Sequence, residues 1–144
     1  MKRLMFCIAC FALLVTIEQF AQEHYTEGPV WRVTLISVKP NQMDAYLTSL
    51  RQGTKPLLDE EKKEGLIMDY KVFLKETSNG PKDWDILVAI EYKNHAALDG
   101  LTAKSEAVRD KVLGGKQQSQ QMGEKRLEMR EIIGTELMQE INLK

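Results

Sequence analysis

The sequence predicts an α+β domain built on a four-stranded antiparallel sheet, and three observations carry that prediction. After residue 29 the hydrophobic pattern runs strand, helix, strand, strand, helix, strand. The two middle strands are separated by Ser78-Asn79-Gly80-Pro81, a strong turn signal that makes them an antiparallel hairpin. Both faces of the strands carry apolar residues, whereas a lone sheet with helices on one side leaves its other face polar. Something is therefore expected to cover the second face, most simply a second copy of the same sheet.

Each element has its own justification. Val30 to Val38 is rich in β-branched and aromatic residues and reads as the first strand. Pro40-Asn41 breaks it, and Asn41 is expected to cap the following helix. In that helix Met43, Tyr46, Leu47, Leu50, Thr54, Leu57 and Leu58 share one face at three-and-four spacing. Pro56 inside the pattern predicts a kink or a helix in two pieces. The charged run Asp59 to Glu64 reads as a solvated last turn, and Gly65 as a left-handed stop. Leu66 to Thr77 alternates, with Met68, Tyr70, Val72 and Leu74 on one face and Ile67, Asp69, Lys71 and Phe73 on the other. Trp84 to Lys93 returns, with Ile86, Val88, Ile90 and Tyr92 opposite Asp85, Leu87, Ala89 and Glu91. Asn94 caps a second helix that Gly100 can split and Gly114-Gly115 ends. Lys116 to Leu127 predicts a polar surface helix. Glu131 to Ile141 predicts the closing strand, from the alternation of Ile133, Thr135, Leu137 and Ile141.

Residues 1–21 have the anatomy of a secretory signal peptide: Lys2-Arg3, an uncharged apolar run from Leu4 to Val15, and the small residue Ala21 at the expected cut. The run is shorter than the ~20 residues a membrane span needs. Cleavage leaves residues 22–144, with a flexible polar lead-in at 22–29 and one domain at 30–144. No stable membrane insertion is expected afterwards, and the address is periplasmic or extracellular. Cys7 and Cys10 both fall in the apolar run, so the mature chain would hold no thiol for a disulfide or a metal. Cys10 lacks the leucine three residues before it that a lipidation site carries. The whole chain has a net charge of −1; removing Lys2, Arg3 and Glu18 makes it −2. Charges of both signs are interspersed, so no footprint for nucleic acid is present.

The element order is the ferredoxin-like split βαβ motif. More narrowly, Trp84 to Asn94 running into Ala96-Ala97-Leu98-Asp99 resembles the third strand and second helix of the dimeric α/β-barrel superfamily. Arg130 to Leu137 is similar to the closing strands of exported bacterial members, and Lys55-Pro56-Leu57-Leu58 fits the centre of the first helix. The resemblance covers residues 30 to 142. It implies two ferredoxin-like chains with their sheets face to face in one barrel and helices outside, hence a homodimer.

No residue set marks a known chemistry. His24 lies in the lead-in and His95 at a helix start, without the spacing of a metal site. Haem-degrading members of the superfamily use an Asn on the first strand and a Trp and a His along the second helix; this chain lacks that set. It also lacks the first-strand His of the stress-responsive branch. Cofactor-free monooxygenases acting on quinone-like substrates rely on Trp, Tyr, Asn and Arg, for which Trp31, Trp84, Tyr70, Tyr92 and Arg32 are available. On the second sheet face Arg32, Asp69, Lys71, Glu91 and Glu136 are expected to point the same way. With Tyr70 they are the candidate ligand-binding residues, unless they are interfacial ion pairs that set the dimer register. No metal and no cofactor are expected. The resulting expectation is an exported dimeric barrel that binds a small, partly apolar molecule inside the barrel. The alternatives are a cofactor-independent monooxygenase or isomerase acting on an aromatic substrate, and a structural envelope protein whose sheet pairs with another chain.

Overall fold

The computed structural model describes residues 24–80 and 83–144. The leader-like stretch 1–21 lies outside the described residues. Described residues 24–26 and 141–144 belong to one compact unit, in which the Lys144 amide donates to the His24 carbonyl at 3.0 Å. Glu27–Glu140 form the other, which contains the helices and most of the sheet.

Strand β1 runs Tyr25–Val38, starting ahead of Val30, so part of the expected lead-in is strand. The reason lies across the sheet: the closing strand β4 (Arg130–Leu143) is equally long, and within the larger unit Gln139 Nε2 donates to the Gly28 carbonyl at 2.5 Å. After β1 the chain turns at Asn41, whose φ of +63° uses the tolerance of asparagine for left-handed backbone. Asn41 therefore makes the turn and does not cap. Gln42 is the residue before the helix and makes no side-chain cap bond.

The first helix is in two pieces: α1 (Met43–Ser49) and α2 (Lys55–Lys63), joined by a π-helical turn at Leu50–Thr54. The Lys55 amide reaches back five residues to the Leu50 carbonyl. Pro56 follows directly. A proline there lacks the amide and crowds the carbonyl four residues earlier, and the wider turn before it accommodates that clash without ending the helix. The end of α2 is a Schellman motif: Leu66 N bonds Glu61 O at 2.9 Å, Gly65 N bonds Lys62 O at 3.1 Å, and Gly65 has φ +73°.

Strands β2 (Asp69–Leu74) and β3 (Ile86–Tyr92) form the hairpin. A 3₁₀ turn at His95–Leu98 follows, with Asn94 Oδ1 accepting from the Ala97 amide at 3.1 Å. Gly100, at φ +65°, separates this turn from α3 (Leu101–Val112), as the sequence allowed. Helix α4 (Lys116–Met129) then leads straight into β4. The strand order is β2-β3-β1-β4, and β3 is antiparallel to both β1 and β2. At the start of β4 the Lys39 amide bonds the Met129 carbonyl, and further along Trp31 meets Glu140, so β4 is antiparallel to β1.

Two apolar clusters pin the helices to one face of this sheet. One gathers Val30, Leu58, Ile67, Tyr92 and Leu101; the other gathers Ile36, Tyr46, Leu50, Ile86 and Val88. Ile86 is completely buried, whereas Val72 on β2 is 46% exposed. Truncating Ile86→Ala should therefore cost about 2–5 kcal/mol in denaturant unfolding, and Val72→Ala under about 1 kcal/mol. Equal losses at the two positions would contradict this placement of the core.

Candidate functional site

The strand register decides which residues can meet. Trp31, Glu91 and Asp69 form one rung across β1, β3 and β2; Arg32, Ile90 and Tyr70 form the next. Successive rungs face opposite sides of a sheet. Asp69, Lys71 and Glu91 therefore share the open face, as expected, but Arg32 does not join them. It faces the helices, with its guanidinium 5.2 Å from the Tyr92 ring centroid, a cation–π distance. Tyr70 also faces the helices, at a separate place, where its hydroxyl donates to Asp59 Oδ1 at 2.6 Å. The remaining candidates are spread out. Lys62 bonds Asp69 at 2.8 Å, Lys71 Nζ sits 5.4 Å from the Trp31 ring, and Glu136 is exposed on β4. The aromatic set separates too: Trp84 lies in the hairpin loop under Lys75, and Trp31 lies on the open face. His95 is exposed.

What the structure does bring together is a cavity of about 350 Å³ between the sheet and helices α2 and α3. Leu58, Ile90, Tyr92 and Leu101 supply its apolar wall. Arg32 enters from the sheet, and Arg109 and Ser105 from α3. Glu61 also lines it, only 6% exposed and the single buried charged residue among those described. Burial pushes its carboxyl above the ordinary value of 4.5, against the pull of a hydrogen bond from Ser105 and of the Arg109 and Arg32 charges. Burial likewise raises the Tyr92 phenol. A carboxyl shifted by burial, set among named charges in a cleft of ligand size, makes this the candidate functional site.

The sequence alone reads Glu61 as part of a solvated last turn; the structure buries it. The signal that would have found it is the helical spacing itself: Glu61 follows Leu57 by four residues and Leu58 by three, so it continues the buried face. The Schellman turn, anchored on the Glu61 carbonyl, holds this residue at the end of that face.

The open sheet face offers a second, shallower concavity of about 420 Å³. It is lined by Trp31, Val33, Phe73, Leu87 and Met138, with Lys71 and Glu140 beside them. Phe73 is 48% exposed, and the edge strand β4 exposes Ile132, Ile133, Leu137 and Met138. Trp31 Nε1 donates to Glu140 at 2.8 Å, which fixes the indole on this face. Among the described residues no cluster of three or more His, Cys, Asp or Glu could hold a metal ion.

No protein-family model matches the chain, and no curated protein matches it. Solved structures do. HapK from Hahella chejuensis superimposes with a TM-score of 0.52 at 12% identity, covering 77% of this chain and 91% of that one. A dimeric ferredoxin-like protein from an uncultured marine organism gives a TM-score of 0.51, also at 12% identity, covering 83% and 90%. At such identities the likeness is one of fold, and the fold is ferredoxin-like, as the element order indicated.

A carboxyl with a raised pKa opposes folding once it ionises. The stability that neutral Glu61 supports is complete below pH 4.5 and falls as pH rises through its raised value. Glu61→Gln removes that dependence. The stability of Glu61→Gln relative to the parent should therefore climb between pH 4 and pH 8 in denaturant unfolding series. A difference that stays flat over this range would show that Glu61 is not held in a desolvated site.

Proposed function

We propose that this chain is a homodimeric protein that works outside the cytoplasm and binds a small, partly apolar molecule between its own sheet and helices. The observation that carries the binding site is the buried Glu61 carboxyl in a cavity with one apolar wall, flanked by Arg32 and Arg109. Buried charges are costly unless they are paired or used, and a chain with no ligand to recognise would gain more by placing a leucine there. This moves the expected ligand from the barrel interior to the helix side of the sheet.

The dimer reading rests on the other face. Trp31, Phe73, Leu87 and Met138 make an apolar surface that no helix among the described residues lines. The marine ferredoxin-like neighbour is dimeric. A second copy laid sheet to sheet would close an α/β barrel and remove on the order of 1,000 Å² from water, the size of a specific interface. The extracytoplasmic address rests on the leader-like sequence of residues 1–21.

Glu61 also favours a second reading, a cofactor-independent isomerase or monooxygenase acting on an aromatic or quinone-like substrate. A carboxyl raised toward neutrality can accept and return a proton, and Arg32 and Arg109 can steady the developing negative charge.

A thermal-shift screen of small aromatic and alicyclic compounds tests the binding site. A true ligand at a hundredfold excess over its dissociation constant stabilises the fold by about 2.7 kcal/mol, which raises Tm by several degrees. Leu98→Trp, which fills the cavity from the 3₁₀ turn, should abolish the shift and keep the protein folded. Equal shifts in parent and variant would place binding elsewhere and overturn the reading.

A further inference from the structure

Every ion pair within 4 Å among the described residues uses a lysine. The arginines behave differently. Arg126 gives its hydrogen bonds to neutral acceptors, Thr54 Oγ1 at 2.9 Å and the Met122 carbonyl at 3.3 Å. Arg130 gives one to the Tyr46 hydroxyl at 2.9 Å, and its buried Nε has no partner. The Arg109 side chain donates no hydrogen bond among the described residues. These cations act on one another: burial, and then the Arg130 charge, lower the Arg126 pKa, and Arg109 adds to the effect. Half-buried like charges with no described carboxylate within 4 Å of them are costly, and a guanidinium fork is shaped to take a carboxylate.

The placement of these groups indicates what would supply that counter-charge. A groove of about 520 Å³ between α3 and α4 is lined by Arg109, Arg126, Lys116 and Ser119. It shares Leu57, Glu106 and Arg109 with the Glu61 cavity, so the two concavities adjoin at these three residues. Glu106 and Asp110 also line the groove. Three cations against two carboxylates leave one positive charge in excess, which suits a single negative charge and disfavours a doubly charged phosphate.

We propose that the ligand is an apolar monocarboxylate, with its carboxylate between Arg109 and Arg126 and its apolar body passing Leu57 into the cavity beside Glu61. This rests on the reading of that cavity as the binding site and names the class of molecule it takes. The groove supplies the charge recognition, and Leu58, Ile90 and Leu101 supply the apolar contact.

Calorimetric titration of the full chain with 2-naphthoate, cinnamate and decanoate, each against the alcohol of matching shape, tests it. At least one acid should bind ten times or more tighter than its alcohol. Arg109→Gln should erase that preference, and Arg126→Lys, which keeps the charge, should retain most of it. Arg109 carries the test if changes at Arg126 disturb folding, since Arg126 also ties α4 to Thr54. Equal binding of acids and alcohols would overturn the charge recognition and leave the cavity reading standing. Binding of neither class would overturn both. An acid preference that survives Arg109→Gln would place the carboxylate elsewhere and also refute the proposal.

Discussion

One sheet with two apolar faces, and described helices packed against only one of them, is the constraint on which the rest of the structure depends. The alternation of β1 and β3 puts Val30, Ile36, Ile86 and Tyr92 toward the helices and Trp31, Val33, Leu87 and Ala89 away from them. On that second face Phe73 is 48% and Met138 42% exposed; apolar area left in water costs about 25 cal/mol per Å², so the face calls for a cover that the described helices do not provide. The proposed dimer answers that requirement. It also explains how binding and assembly can coexist in so small a protein: assembly takes the open face, and the helix side keeps its cavity.

The cavity depends on how α2 is placed. Pro56 alone would break the helix, yet the π turn at Leu50–Thr54 absorbs it, and the helix continues far enough to bring Leu57, Leu58 and Glu61 over the sheet. The Schellman turn at Gly65 then ends it at once. One turn fewer would leave the cavity without its carboxyl. From across the cavity Arg32 and Arg109 offset part of the cost of burying Glu61, though not enough to return its pKa to the ordinary range.

Much of the fold was legible in the sequence because it rests on local signals of known period. The Asn94 cap, the break at Gly100, the stop at Gly65 and the two faces of β3 follow from single residues or from alternation, and the structure shows each of them. Asn41 misled because asparagine serves both caps and left-handed turns, and only the backbone decides between them. The start of β1 was missed because Tyr25 to Pro29 is extended by its long partner β4, a contact remote in sequence. The site was least legible. Assigning Arg32 to the face of Asp69 and Glu91 was an error of one residue in strand parity, and on a sheet such an error exchanges the two sides. Glu61 was hidden by its neighbours: within the run Asp59 to Glu64 its charge looked like theirs, and only its helical phase relative to Leu57 and Leu58 sets it apart.

The central question is whether two copies of this chain meet through the open sheet face. Isotope-filtered NOE spectroscopy on an equal mixture of carbon-13-labelled and unlabelled protein tests this directly. Intermolecular contacts should appear at Phe73, Leu87 and Met138, with none at α3 or α4. Contacts confined to those helices, or no intermolecular contact at all, would contradict it.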